Sequence, residues 1–353
     1  LSSESKIAGL AIKRGLELAI ADINAKGGLF GKELILLPMD HRTLANRSQK
    51  NLKTLADHRD VIAMVGGVQS GMILAERSLI NELKIPYLIP WAAIPELTEG
   101  DNHYLFRASV NDRFSAIKLA NFTAKHHQRP AIIVENSTWG RSNLQQLKAL
   151  LTERSIGMAL KDVVNRGQQN FDALAKELQQ SKADSILLVA NAKETLNLIK
   201  TLTQRQLSLP IISHWGIATG DFFEQTTSLL PELNIHLLQT FSFEFKETPQ
   251  QIQLQQRYVQ RYGKIDAPYA ANGVAQAYDL VHLLGLAVNQ AQDTSPEAIK
   301  TALENLPPYQ GVLKRYAPAF KAQRHDALDE NDIFMVKVTA QGQLIKVDEK
   351  EAP

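Results

Sequence analysis

The chain's 353 residues exceed the size at which a single hydrophobic core keeps growing, so two α/β lobes are the default expectation. Its composition, 44% hydrophobic and 22% charged, is that of an ordinary globular protein, and a formal net charge of +2 supplies no general attraction to nucleic acid or anionic membrane. The absence of cysteine excludes disulfides, thiolate nucleophiles and thiolate metal sites and suits an oxidising compartment, and no apolar run approaches the roughly 20 residues that span a bilayer.

Residues 10–25, LAIKRGLELAIADINA, set Ile12, Leu16, Ala19, Ile20 and Ile23 on one stripe at helical spacing, and Gly27 and Gly28 follow as a stop signal. The apolar run ELILLPMD at 33–40 reads as a strand; a polar helical stretch to about Asp60 and the strand VIAMVGG at 61–67 come next. The rhythm continues through a helix at 71–83, strands PYLIP at 86–90 and HYLFRAS at 103–109, a helix at 112–126 and the strand AIIVEN at 131–136. Further helices are expected at 142–155, 171–180 and 192–206, alternating with strands SILLVA at 185–190 and PIISH at 210–214. Short apolar strands alternating with helices predict parallel sheets covered on both faces.

In such sheets ligands sit beyond the carboxyl ends of the strands. The segments in that position are GGVQSG (66–71), PWAAIPEL (90–97), NSTWGR (136–141), NAKE (191–194) and SHWG (213–216). The chain has three tryptophans, and all three, Trp91, Trp139 and Trp215, fall there. Any one of them reads equally as core filler; three together favour a pocket whose aromatic walls could stack on a planar ligand or box a quaternary ammonium, the latter worth about 0.5 to 2 kcal/mol per contact.

Other signals have plain structural readings. Ser70, between a strand and a helix, reads as an N-cap, where free N–H groups also favour an anion. GVQSG lacks the glycine spacing of a nucleophile elbow, and GGLFGK at 27–32 lacks the gap and terminal Ser/Thr of a phosphate loop. His126 and His127 end a helix with no third ligand at metal spacing, so no metal site is expected. The sequons at Asn46, Asn121 and Asn136 occur by chance, and Glu96 after Pro95 reads as a first-turn carboxylate.

The order of motifs GLELAIADINAKGGLFGKELILLPMD, the VGG strand end with Ser70, IPYLIPWAAIPELT, LFRASVND, AIIVENSTWGRS, DSILLVANAKE and YAANGVAQAYD resembles the type I periplasmic binding proteins of the leucine/isoleucine/valine-binding class over essentially the whole chain. The resemblance implies an α/β fold of two Rossmann-like lobes with parallel sheets joined by a three-strand hinge, lobe one spanning 1–109 and 243–325 and lobe two 110–242 and 326–353. It implies a small-molecule ligand held in an interlobe cleft, an ABC transporter permease in the inner membrane as partner, a monomer, no cofactor, no nucleic acid, and a periplasmic or extracytoplasmic location with the signal peptide removed. In the family a first strand precedes the first helix. LSSES at 1–5 aligns with the loop after that strand, which leaves the strand itself upstream of Leu1.

Carried over position by position, the family's ligand carboxylate site falls on Ser70 and its neighbouring contacts on Trp91 and Ala93. In lobe two the ligand positions fall on Trp139, Asn191 and Trp215, and Tyr269 faces the same cleft. The family usually has a hydroxyl residue where this chain has Ala93 and, in amino-acid binders, an acid where it has Trp215. Both departures remove partners of an ammonium. They disfavour an unmodified α-amino acid and leave a carboxylate with an apolar or aromatic body, or a betaine-like cation. A sensor domain of a membrane receptor is the alternative role, and no nucleophile, base and orienter stand together at any strand end, so no enzyme is expected. Arg107 reads as structural.

Overall fold

The computed structural model describes residues 5–100, 103–265 and 268–348, so most of the expected LSSES loop lies outside the described residues. The chain divides into two compact units, Leu1–Asn111 with Phe241–Asp332 and Asp112–Thr240 with Ile333–Pro353.

In unit 1, helix α1 (Lys6–Ala25) buries Ile12, Leu16, Ala19 and Ile23 of the stripe read from the sequence, leaves Ile20 half-buried, and ends where the Gly28 N–H closes on the Ile23 carbonyl at 3.0 Å. Helix α2 (Ala45–Ala56), strand β1 (Met64–Val65), helix α3 (Ser70–Leu83) and strands β2 (Tyr87–Ile89) and β3 (Leu105–Arg107) follow, the strands forming a parallel sheet in the order β1-β2-β3. The expected strand at 33–40 does not join it. Leu34 bonds Asn24 through both backbone groups, but Ile35–Met39 make no backbone hydrogen bond among the described residues, and Ile35 and Leu37 are 71% and 50% exposed. This segment and β1, which among the described residues pairs on its β2 side alone, line a cavity of about 960 Å³ together with α1. An apolar run becomes a strand only where a neighbour takes its N–H and C=O groups, and no described segment does so here.

Unit 2 opens with α4 (Asp112–His126), and then runs β4 (Pro130–Glu135), α5 (Thr138–Glu153), β5 (Leu160–Val164), α6 (Asp172–Ser181), β6 (Ser185–Val189), α7 (Ala192–Gln204), β7 (Ile211–Ser213), α8 (Phe222–Thr226) and β8 (Ile235–Gln239). The chain returns to unit 1 for α9 (Pro249–Tyr262), α10 (Ala271–Ala291), α11 (Pro296–Leu303) and the small antiparallel pair β9 (Tyr309–Gln310) and β10 (Arg315–Tyr316). It ends in unit 2 with β11 (Phe334–Val338) and β12 (Leu344–Lys346). The seven-stranded order is β12-β11-β8-β7-β6-β4-β5. Strands β4 to β8 pair in parallel, as the alternation of strands and helices predicts, and β11 and β12 extend the sheet at one end, β11 antiparallel to β8 and to β12. The central strands β4 and β6 are buried at every residue and were legible as apolar runs; β5 was not, because as an edge strand it alternates exposed Lys161 and Val163 with covered neighbours.

Arg107 organises unit 1. Its fully buried guanidinium donates to Asp326 Oδ1 at 2.7 Å, to the Ile94 carbonyl at 2.7 Å and to Thr98 Oγ1 at 2.7 Å, and Asn111 Nδ2 donates to the other Asp326 oxygen at 3.0 Å. Residues 326–332 group with unit 1, whereas the boundaries implied by the resemblance placed everything from 326 onward in the second lobe. Burial by itself would raise the Asp326 pKa, but the Arg107 charge and the hydrogen bonds from Arg107, Asn111 and Thr98 hold it below the ordinary carboxylate value.

A depressed folded pKa stabilises the protein above the unfolded carboxylate value of about 3.9, and that stability is lost as pH falls through the lower folded value. Replacing Asp326→Asn should lower the unfolding free energy by about 3 to 5 kcal/mol at neutral pH and weaken its acid dependence, measured by urea denaturation at several pH values. Hydrogen exchange should find the amides of Leu88 and Ile132, inside ladders, slow, while the amides of exposed Lys161 and Val163 on the edge strand β5 exchange faster.

Candidate functional site

The sequence-predicted residues fall into one set in each unit. In unit 1, Ser70 is the first residue of α3; the N-cap position belongs to Gln69, and neither side chain caps the helix. The expected N-cap role is therefore replaced by another: Ser70 Oγ accepts the Ala93 N–H at 3.2 Å, tying the helix start to the loop after β2. Both residues are buried, and the Ser70 hydroxyl proton has no acceptor among the described residues. That proton, and the first-turn N–H groups that no helical carbonyl can reach, suit an anionic oxygen. Trp91 lies against the backbone of α10: a Cβ at Gly273 would stand 2.9 Å from the Trp91 ring, so the glycine makes room for the indole. Tyr269, half-buried in the 3₁₀ turn Pro268–Ala270, stands one helical turn ahead of Gly273.

In unit 2, β4, β6 and β7 end side by side and each hands over to a helical turn. Trp139 lies in the first turn of α5, whose start is capped by Ser137 Oγ accepting the Gly140 N–H at 3.1 Å. Trp215 opens the 3₁₀ turn Trp215–Ala218 after β7 and is 2% exposed. Between the two indoles stands His214, its ring centroid 4.1 Å from that of Trp215 and 5.1 Å from that of Trp139, the latter in an edge-to-face contact. The His214 ring is held by Nε2 at 2.9 Å from Asp112 Oδ1, and Asp112 Oδ2 accepts from Asn143 Nδ2 at 2.9 Å; all three residues are fully buried. Backbone approach completes the arrangement: a Cβ at Gly216 would sit 2.5 Å from the Trp139 ring and 2.7 Å from the Ala190 carbonyl.

Asn191, next to Ala190, occupies the N-cap position of α7 without capping it. Its Nδ2 donates to Glu135 Oε2 at 2.6 Å, and Glu135 Oε1 accepts from Arg166 Nη2 at 2.7 Å and Nε at 3.2 Å. Trp139 and Trp215 are thus brought together around His214, with Asn191 beside them. Glu135, Asp112, His214 and Arg166 were not singled out from the sequence. A carboxylate ending the apolar run AIIVE was a usable signal for Glu135, since such a group needs buried partners. Nothing local announced Asp112 and His214, which are 102 residues apart.

Among the described residues no group of three His, Asp or Glu side chains could hold a metal. His126 packs on Phe122 with ring centroids 4.6 Å apart, His127 stands 3.8 Å from Asp184, and burial lowers the pKa of both histidines. No helix of the described residues is long and apolar enough to cross a membrane.

Comparison with known proteins places this architecture. The family model for periplasmic binding proteins matches residues 1–343. A Leu/Ile/Val-binding protein homolog of Brucella abortus is 24% identical over 315 residues, covering 86% of this chain and 80% of that protein. A type 1 periplasmic binding protein from Bordetella pertussis superposes with a TM-score of 0.89 at 22% identity, covering 98% of this chain and 97% of the other. A solute-binding protein of an ABC transporter from R. palustris, solved in complex with benzoate, superposes with a TM-score of 0.83 at 16% identity, covering 98% and 92%.

The close approach at Gly216 supplies a test of the tryptophan arrangement. Gly216→Ala should destabilise the protein by about 1 to 3 kcal/mol and change the tryptophan emission. The control Gly157→Ala, where the nearest atom to a new Cβ is 3.9 Å away, should do neither.

Proposed function

The chain belongs to the periplasmic binding protein family, and we propose that it captures a small carboxylate with an apolar or aromatic body for an ABC importer. Family membership implies binding rather than catalysis, and an extracytoplasmic setting. Delivery to a membrane permease is the further step this reading assigns. The residues it assigns to ligand contact are Ser70, Trp91, Ala93 and Tyr269 of unit 1 and Trp139, Asn191 and Trp215 of unit 2.

One observation carries the choice of ligand class: the acidic groups at the strand ends of unit 2 are already committed. Glu135 serves Arg166 and Asn191, Asp112 serves His214 and Asn143, and Glu194 accepts the Gly167 N–H at 2.6 Å. Position 215, where an amino-acid binder needs a countercharge, holds an indole. A buried ammonium without an ion partner costs several kcal/mol, so an α-amino acid is disfavoured despite the relative named for leucine, isoleucine and valine. A carboxylate meets Ser70, whose hydroxyl proton is available, and its apolar body meets tryptophan faces. The benzoate bound by the R. palustris protein is a ligand of this kind on the same fold.

A ligand that binds only the folded state raises stability by about 2.7 kcal/mol at a hundredfold excess over Kd. In a thermal-shift series benzoate and short aliphatic carboxylates should therefore raise the melting temperature, and leucine and valine should not. Ser70→Ala should weaken benzoate binding roughly tenfold or more, the loss expected for a hydrogen bond to a charged group. A rise with leucine alone would overturn the proposed ligand class.

A further inference from the structure

We infer that Glu135 locks the side-chain amide of Asn191 so that its carbonyl oxygen is the atom offered to a ligand, and that the ligand carries a neutral O–H or N–H donor on the part that meets unit 2. The inference rests on the assignment of Asn191 to ligand contact made above. An asparagine amide has a donor end and an acceptor end of nearly equal shape, and only its bonding decides which faces where. Here that decision is made by a carboxylate with no solvent exposure. Glu135, the last residue of β4, can only accept when ionised; it takes the Asn191 Nδ2 donor at 2.6 Å while its other oxygen is saturated by Arg166. Turning the amide over would set Oδ1 against that carboxylate, two acceptors in contact with no proton between them.

The acceptor end is unclaimed. Asn191 stands at the N-cap of α7, where an asparagine ordinarily spends Oδ1 on a first-turn N–H, yet it makes no side-chain cap bond and Oδ1 has no partner among the described residues. The backbone is fixed independently, because the Asn191 carbonyl accepts the Thr195 N–H at 3.2 Å and hydroxyl at 2.8 Å. Asn191 is only half-buried, so Oδ1 is reachable. A single amide oxygen satisfies a hydroxyl or amide N–H, but it cannot replace the water around an ammonium, and Glu135 has no charge to spare beside Arg166. The class that fits is a carboxylate bearing a hydroxyl or amide donor on its body, such as a hydroxylated aromatic acid. Glu135 acts through Asn191 and is a positioning residue.

The test has a ligand-free arm and a ligand arm on the full chain. In a ¹H–¹⁵N spectrum the Asn191 side-chain amide, identified by its loss in Asn191→Leu, should be shifted by its carboxylate partner and slow to exchange, and Glu135→Gln should move it toward ordinary values. A wild-type amide that exchanges like a solvent-exposed one overturns the locked orientation. By calorimetry, 4-hydroxybenzoate or 3-hydroxybenzoate should bind roughly tenfold more tightly than the corresponding methoxybenzoate, about one hydrogen bond's worth. Asn191→Leu and Glu135→Gln, checked for folding by their melting curves, should reduce that preference to threefold or less, on the order of 0.6 kcal/mol. Benzoates that bind with no hydroxyl preference in the wild type overturn the donor requirement alone. Leucine binding with no benzoate binding overturns the ligand class proposed earlier, and the neutral donor with it.

Discussion

Parallel pairing of β4, β6 and β7 is the constraint from which the candidate site follows. In a parallel ladder every strand spends its N–H and C=O groups on its neighbours along its whole length, and all the strands stop at the same edge of the sheet. Glu135, Val189 and Ser213 are the residues at which these three strands end. Beyond them the backbone must find new partners, and it does so by entering the turns that carry Trp139, Asn191 and Trp215. Trp139, Asn191 and Trp215 stand close together there because the three strands end side by side. In unit 1, Ile35–Met39 make no backbone hydrogen bond among the described residues, and Ile35 and Leu37 are exposed.

Buried polar groups then determine how the convergent side chains are aimed. Asp112 holds His214, and His214 separates the two tryptophans; Arg166 and Glu135 hold Asn191; Arg107 and Asp326 hold the strand ends of unit 1. Ion pairs of this kind add little net stability, since desolvation offsets much of their attraction, but loss of either partner leaves a charge stranded in the interior. Their value here is orientation. Each fixes one rotamer of a side chain that would otherwise have several, and a preorganised site loses less freedom when a ligand arrives.

The same accounting bears on ligand class. A family fold shared by a relative named for leucine, isoleucine and valine and by a protein solved with benzoate supplies a scaffold and not a specificity, so the discrimination has to be sought in individual groups. The proposed ligand class rests on committed carboxylates, an indole at position 215 and a serine whose hydroxyl proton has no acceptor among the described residues. The inference drawn for Asn191 adds a polar requirement that the tryptophans cannot express.

Residue order alone determined the α/β class and the strand ends at which to look, because an apolar run of four to six residues bounded by turn residues is a local property; the binding-protein family was legible only through the resemblance of its motifs. It located α4 at its observed bounds and the buried strands β4 and β6 to within a residue, and it picked out all three tryptophans. It did not determine β5, whose alternating exposure comes from lying at a sheet edge. Nor could it show that Ser70 bonds Ala93 instead of capping α3, that Asp326 belongs with Arg107, or that Asp112 reaches His214. Those are contacts between residues far apart in the chain, and only the tertiary structure decides them, because a buried charge is satisfied by whichever partner the fold carries to it.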